Sequence, residues 1–130
     1  MMTFDEFMDI VNEEIALLPE YVFENLNGGV VVDPAAYLHP ARARDDLYIL
    51  GTYTCSGILG RQILLYYGSF MVVMGNTEER YIRLQIRRTL RHEFLHHLET
   101  NAGITGRGSL AEEDHNAMIQ YFESRGVKPR

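Results

Sequence analysis

The chain is short of cysteine, of long apolar runs and of positive charge, and each shortage closes off a class of protein. Cys55 is the single cysteine in 130 residues, so no intrachain disulfide can form and the chemistry suits a reducing compartment. No apolar run approaches the roughly 18 residues that a membrane-spanning helix needs. The opening Met1-Met2-Thr3-Phe4-Asp5-Glu6 carries acid where a signal peptide carries base. A cytoplasmic location is the expectation from these three features. Twelve Lys and Arg stand against 18 Asp and Glu, for a net charge of −6. That balance makes nucleic acid and anionic membranes unlike partners, since both require concentrated positive charge.

What is present fits one domain over residues 1–130, because 46% hydrophobic residues in a chain of this length supply a real core. No internal repeat, low-complexity tract or linker divides it. Phe4, Phe7, Met8, Ile10, Val11, Ile15 and Leu18 recur at helical intervals, and Thr3 with Glu6 forms a capping box, which predicts a helix over 4–18. Pro19 suits the first turn of a short helix to Leu26, which Asn27-Gly28-Gly29 breaks. Val30-Val31-Val32 reads as a buried strand stopped by Asp33-Pro34. Residues 34–46 read as an irregular connection. Strands are expected in 47–54 and 62–67, antiparallel about a Ser56-Gly57 turn, followed by a short helix at 70–74. Asn76 with Glu79 three positions on opens a long helix to about Thr100, striped by Ile82, Ile86, Leu90, Phe94 and Leu98. Asn101-Ala102-Gly103 ends it, Gly103, Gly106 and Gly108 mark a loop, and 111–122 reads as a last helix with acid in its first turn. The class is α+β, with a small, mostly antiparallel sheet against the long helix.

The chemistry concentrates at residues 92–97, His-Glu-Phe-Leu-His-His. His92 and His96 fall at i and i+4, roughly 5–6 Å apart at their β-carbons on one helix face, so both imidazoles can grip one tetrahedral ion. Glu93 lies about 100° round from His92, within reach of a water on that ion but not aimed at the ion itself. This is the arrangement of a zinc hydrolase with Glu93 as general base. Such a site normally takes three protein ligands and leaves a fourth position open. The third is sought in Glu112-Glu113-Asp114 and His115, with Asp114 first and Glu113 second. Zinc is preferred because two imidazoles and one carboxylate suit it.

Other candidates carry a bland reading beside a sharp one. His97 is packed, a support behind the metal ligands, or a proton donor to the transition state. His115 is a helix-surface residue or an oxyanion donor. His39 reads as a loop histidine, and Cys55 as a small core residue or a zinc ligand. One of Tyr48, Tyr53, Tyr66 and Tyr67 could donate to an oxyanion. Arg83, Arg87, Arg88 and Arg91 form a basic face, solvated and paired with acids such as Glu79, or else a surface for an acidic substrate or RNA.

The run from Leu-Pro-Glu at 18–20, through Leu-Gly-Thr-Tyr at 50–53, Ser-Gly-Ile-Leu at 56–59 and Ile-Leu-Leu-Tyr-Tyr-Gly at 63–68, to Arg-Arg-Thr-Leu-Arg-His-Glu-Phe-Leu-His-His at 87–97, resembles the zincin-like metallopeptidases, small bacterial proteins with a minimal zincin fold. The likeness spans nearly the whole chain. In that family the second His is followed by x-x-Gly-x-x-Asp; here Glu99 and Ala102 stand at those places, and the third ligand is carried over to Asp114. The resemblance implies a zinc metallopeptidase with a peptide or protein substrate, which would lie extended along a sheet edge, with the strand at 62–67 as the expected edge. Two alternatives use the same residues: a metal-dependent hydrolase of RNA or another non-peptide substrate, and a metal-binding interaction protein without activity.

Overall fold

The computed structural model describes residues 1–58, 60–103 and 110–124, and only the backbone of 110–112 and 115. The first helix, α1 (Phe4–Ala16), begins as its sequence predicts: Thr3 Oγ1 accepts the Glu6 N–H and Glu6 Oε1 accepts the Thr3 N–H, each at 3.1 Å. Its buried face is Phe7, Ile10, Val11 and Glu14. The helix expected from Pro19 to Leu26 is only a 3-10 turn, Glu20–Phe23. Asn25, with φ 63, turns into the left-handed region and prevents its continuation.

Three strands follow: β1 (Gly29–Asp33), β2 (Gly51–Ser56) and β3 (Gly60–Tyr66). They form one sheet in the order β1-β3-β2, with β2 antiparallel and β1 parallel to β3. The expected hairpin at Ser56-Gly57 is therefore present. The sheet is mixed rather than mostly antiparallel, because residues 34–50 carry the chain along one end of the sheet past the place that β3 later fills. This order also corrects the expected substrate edge: β3 is central, paired on both sides, and β2 is an edge. Nor is β1 buried throughout. It is an edge strand whose Val30 and Val32 pack on the core while Val31 is exposed, the alternation of a sheet with one covered face.

Tyr67–Met74 forms α2, Glu79–Ala102 the long α3 and Leu110–Ser124 α4. Asn76 does not cap α3; Glu78 is its N-cap and makes no side-chain cap bond. The reason lies in the preceding turn. Thr77 bonds back to Met74 O through both its N–H and its hydroxyl, at 3.0 and 2.7 Å, so the chain is still leaving α2 at Asn76. At the other end Gly103 closes α3 with φ 69, a left-handed cap, as predicted. The glycine-marked loop beyond it, with Gly106 and Gly108, lies outside the described residues.

The core joins Phe7, Ile10 and Val11 of α1, Ile63 and Leu65 of β3, Phe70 of α2, and Ile82, Ile86, Leu90 and Phe94 of α3. The stripe of α3 is thus what the sheet packs against. Gly51 lets β2 and α3 come close: a Cβ there would stand 2.7 Å from Thr89 Cγ2. Tyr53 faces the same helix two positions on, bonded to His97. With Gly51 at Thr89 and Tyr53 at His97, β2 runs alongside α3 in the same sense, and His92 to His96 lie between those two contacts. No described helix is long and apolar enough to cross a membrane.

Candidate metal centre and its cleft

The i, i+4 spacing on α3 brings the rings of His92 and His96 edge to face, 5.1 Å apart at their centroids. Asp114, in the first turns of α4, reaches both: its carboxylate oxygens lie 3.1 Å from His92 Nε2 and 2.7 Å from His96 Nε2. One donor atom from each of the three residues falls within 4.8 Å of the others. Of the acids weighed for the third position whose side chains are described, Asp114 is the one that meets the histidines. Glu113, its neighbour, is exposed. The side chains of Glu112 and His115 lie outside the described residues.

Glu93 is buried, 6% exposed, and its Oε2 has no hydrogen-bond partner. Burial pushes its carboxyl above the usual carboxylate range; His92 and His96 pull the other way, and Asp114 adds to the rise. A buried carboxylate oxygen without a partner is costly, and here it sits one residue from a converging ligand set. Two imidazoles, one carboxylate and an unpartnered acid beside them fit a tetrahedral divalent cation with an open position.

The site opens into a cleft of about 700 Å³. One wall is residues 47–53, leading into and through the start of β2. The other is α3 with Arg88, Thr89 and the histidines, and α4 contributes Met118 and Tyr121. Two of these residues, Tyr121 and Gly51, have a part in shaping the site that sequence did not give them. Tyr121 bonds through its hydroxyl to the Ala43 N–H at 3.0 Å and to Asp46 Oδ1 at 2.9 Å, fastening α4 to the connection before β2. Its signal was available: seven positions after Asp114, it falls on the same helix face. Gly51 is the other, and only its close approach to Thr89 reveals it.

His97 is fully buried; its Nε2 donates to Glu24 O at 2.6 Å, so Nδ1 accepts from the Tyr53 hydroxyl at 2.8 Å. It packs and ties β2 to α3, the structural one of its expected roles. Tyr53 is held by this bond. Tyr67 donates to Met2 O at 2.6 Å, and Tyr66 pairs with Thr52 Oγ1. His39 is in a loop, as expected, but lines the cleft, its Nδ1 accepting the Ala41 N–H at 3.0 Å. Cys55 is exposed on β2 and not a core residue, because β2 leaves the cover of α3 toward its end. The four arginines are not one face. Arg83 pairs with Glu13 at 2.8 Å, and Arg87 with the buried Glu14 at 2.9 Å, so their acids come from α1 instead of Glu79. Arg88 lines the cleft, and Arg91 lines a small hollow beside Leu17 and Leu18.

A conserved hypothetical protein of Thermus thermophilus (TTHA0227) has the same architecture, with a TM-score of 0.66 and 34% identity over 78% of this chain and 98% of its own. The chain belongs to the family of that protein. No family model matches the sequence, and no curated protein matches it. The third converging donor of this chain comes from a separate helix, α4.

Proposed function

We propose that the chain is a zinc-dependent peptidase of the minimal zincin type. The observation that carries this reading is the meeting of His92 Nε2, His96 Nε2 and the Asp114 carboxylate within 4.8 Å, beside a buried Glu93 Oε2 that has no partner. His92, His96 and Asp114 would hold the ion, which when bound supplies Lewis acidity toward a carbonyl oxygen and toward water. Glu93 does the proton work. Its Oε2 takes a proton from the attacking water as the C–O bond forms, then returns it to the amide nitrogen as the C–N bond breaks.

The substrate main chain would pair with the outer edge of β2. Tyr66 donates its N–H to Leu50 O at 2.9 Å, so by antiparallel alternation Thr52 and Thr54 turn their backbone groups toward β3. Gly51, Tyr53 and Cys55 turn theirs outward, and among the described residues no strand pairs with them. The edge is closed further back, where Ile49 donates its N–H to Tyr37 O beside the bridge between Leu38 and Tyr48. A peptide added there gains main-chain hydrogen bonds with little demand on its sequence.

The test is digestion of unstructured peptides by the zinc-loaded protein, followed by mass spectrometry. Glu93→Gln is expected to retain one zinc and lose turnover by roughly 10²- to 10⁴-fold. His96→Ala is expected to lose both metal and turnover. Turnover that survives Glu93→Gln refutes the assigned base.

A further inference from the structure

Five arginines lie on α3; three pair with acids outside the cleft, and a fourth lines a different hollow. Arg80 pairs with Glu78, Arg83 with Glu13 and Arg87 with Glu14, while Arg91 faces the hollow beside Leu17 and Leu18. Arg88 is exposed, lines the cleft, and has no ion pair or hydrogen bond among the described residues. It stands one helical turn before His92 on the same face. Apart from the acids of the site itself, Glu93 and Asp114, it is the one charged side chain in the cleft wall among the described residues. Asp114 and Glu93 together would balance a divalent ion, so the loaded cleft keeps the positive charge of this guanidinium.

The direction of a bound peptide follows from the sheet. Gly51 lies against Thr89 and Tyr53 against His97. A peptide antiparallel to β2, the commoner and slightly more stable pairing, therefore runs from Cys55 toward Gly51. Its residues after the bond that is cut come to the end of the cleft where Arg88 stands. At that end the edge is already closed by the bridge between Leu38 and Tyr48, which shortens the room for residues beyond the cut.

We infer that Arg88 selects substrates bearing a carboxylate immediately beyond the scissile bond, supplied by an acidic side chain or by the substrate's own C-terminus. This rests on the peptidase reading above. A guanidinium meets a carboxylate with two parallel N–H···O bonds, and both sources present that group.

The test uses peptides identical except for Glu or Gln in the two positions after the cut, each made with a free or an amidated C-terminus. Binding to zinc-loaded Glu93→Gln protein is read by fluorescence anisotropy, and kcat/KM with the native protein. The expected result is a carboxylate preference of about tenfold or more, the size of a charge-assisted hydrogen bond. In Arg88→Gln that ratio falls toward one. In Arg88→Glu it inverts, favouring Lys at the same position. A preference that persists after amidation traces to the side chain, and one that amidation removes traces to the C-terminus. An equal ratio in the native protein, or one that Arg88→Gln leaves unchanged, overturns the inference. The binding arm reads Arg88 even if no peptide is cut, so failure of the peptidase reading shows separately, as absent turnover.

Discussion

The Tyr53 hydroxyl and Nδ1 of the buried His97, 2.8 Å apart, join the edge strand to the helix of the paired histidines across 44 residues of sequence. Tyr53→Phe leaves that nitrogen without a donor in a place water does not reach. The expected cost is about 1–3 kcal/mol, read by urea denaturation. A smaller loss would show that water replaces the hydroxyl.

On the proposed reading, removal of metal should loosen one helix more than the rest. Of the described α4 side chains, Phe122 alone is buried, so the helix is held mainly at Asp114 and Tyr121. Zinc at a thousand times its Kd would stabilise the fold by about 4.1 kcal/mol. Chelation is therefore expected to lower Tm and to speed amide exchange over 113–124 before that of α3, measured by hydrogen exchange with mass spectrometry. In Asp114→Ala the chelator should have little further effect.

Gly51 is a test of close packing. An alanine Cβ would meet Thr89 Cγ2 at 2.7 Å and Leu65 Cδ2 at 3.1 Å. Gly51→Ala should cost about 1–3 kcal/mol by overpacking, and Thr89→Ser in the same chain should recover part of it, since neighbouring sites couple. Equal, additive losses in a double-mutant cycle would locate the strain elsewhere.

The capping box of α1 gives a pH dependence with a definite sign. Its hydrogen bonds to Thr3, backbone first and side chain second, hold the Glu6 carboxyl below its ordinary value of 4.5. A lowered folded-state value means the contribution is fully present above 4.5 and is lost as pH falls through the lower one. The Tm difference between native protein and Glu6→Ala should stay constant from neutral pH down to that point and shrink below it. A difference that grows in acid contradicts the box.

Local signals were readable wherever the determinant was local. The Thr3-Glu6 cap, the Ser56-Gly57 hairpin, the α3 stripe and the Gly103 stop each depend on residues within a few positions of one another, and the structure has all four. The errors arose where distant segments decide. Whether Val30 to Val32 is buried, and whether β2 or β3 is the edge, depends on which strand fills the middle of the sheet, and no short window contains that. The Asn76 cap failed because α2 had not yet released the chain at Thr77. Cys55 was misplaced for a similar reason, since a strand's residues are covered only as far as the helix beneath it extends.

At the candidate site, His92, Glu93 and His96 were legible from spacing alone. Asp114 was reached by chemistry, as a suitable donor after a loop, and the structure brings it to the histidines. Arg88 could not be separated from its neighbours by sequence, because the acids that occupy Arg83 and Arg87 lie about 70 positions away on α1.

The bond from Tyr121 to the segment 43–46 has a bearing on biosynthesis. A nascent polypeptide that has emerged only as far as Ala102 carries both imidazoles and Glu93 but neither the third donor nor the fastening that seats it. On the metal reading proposed above, ion capture would then await the last helix.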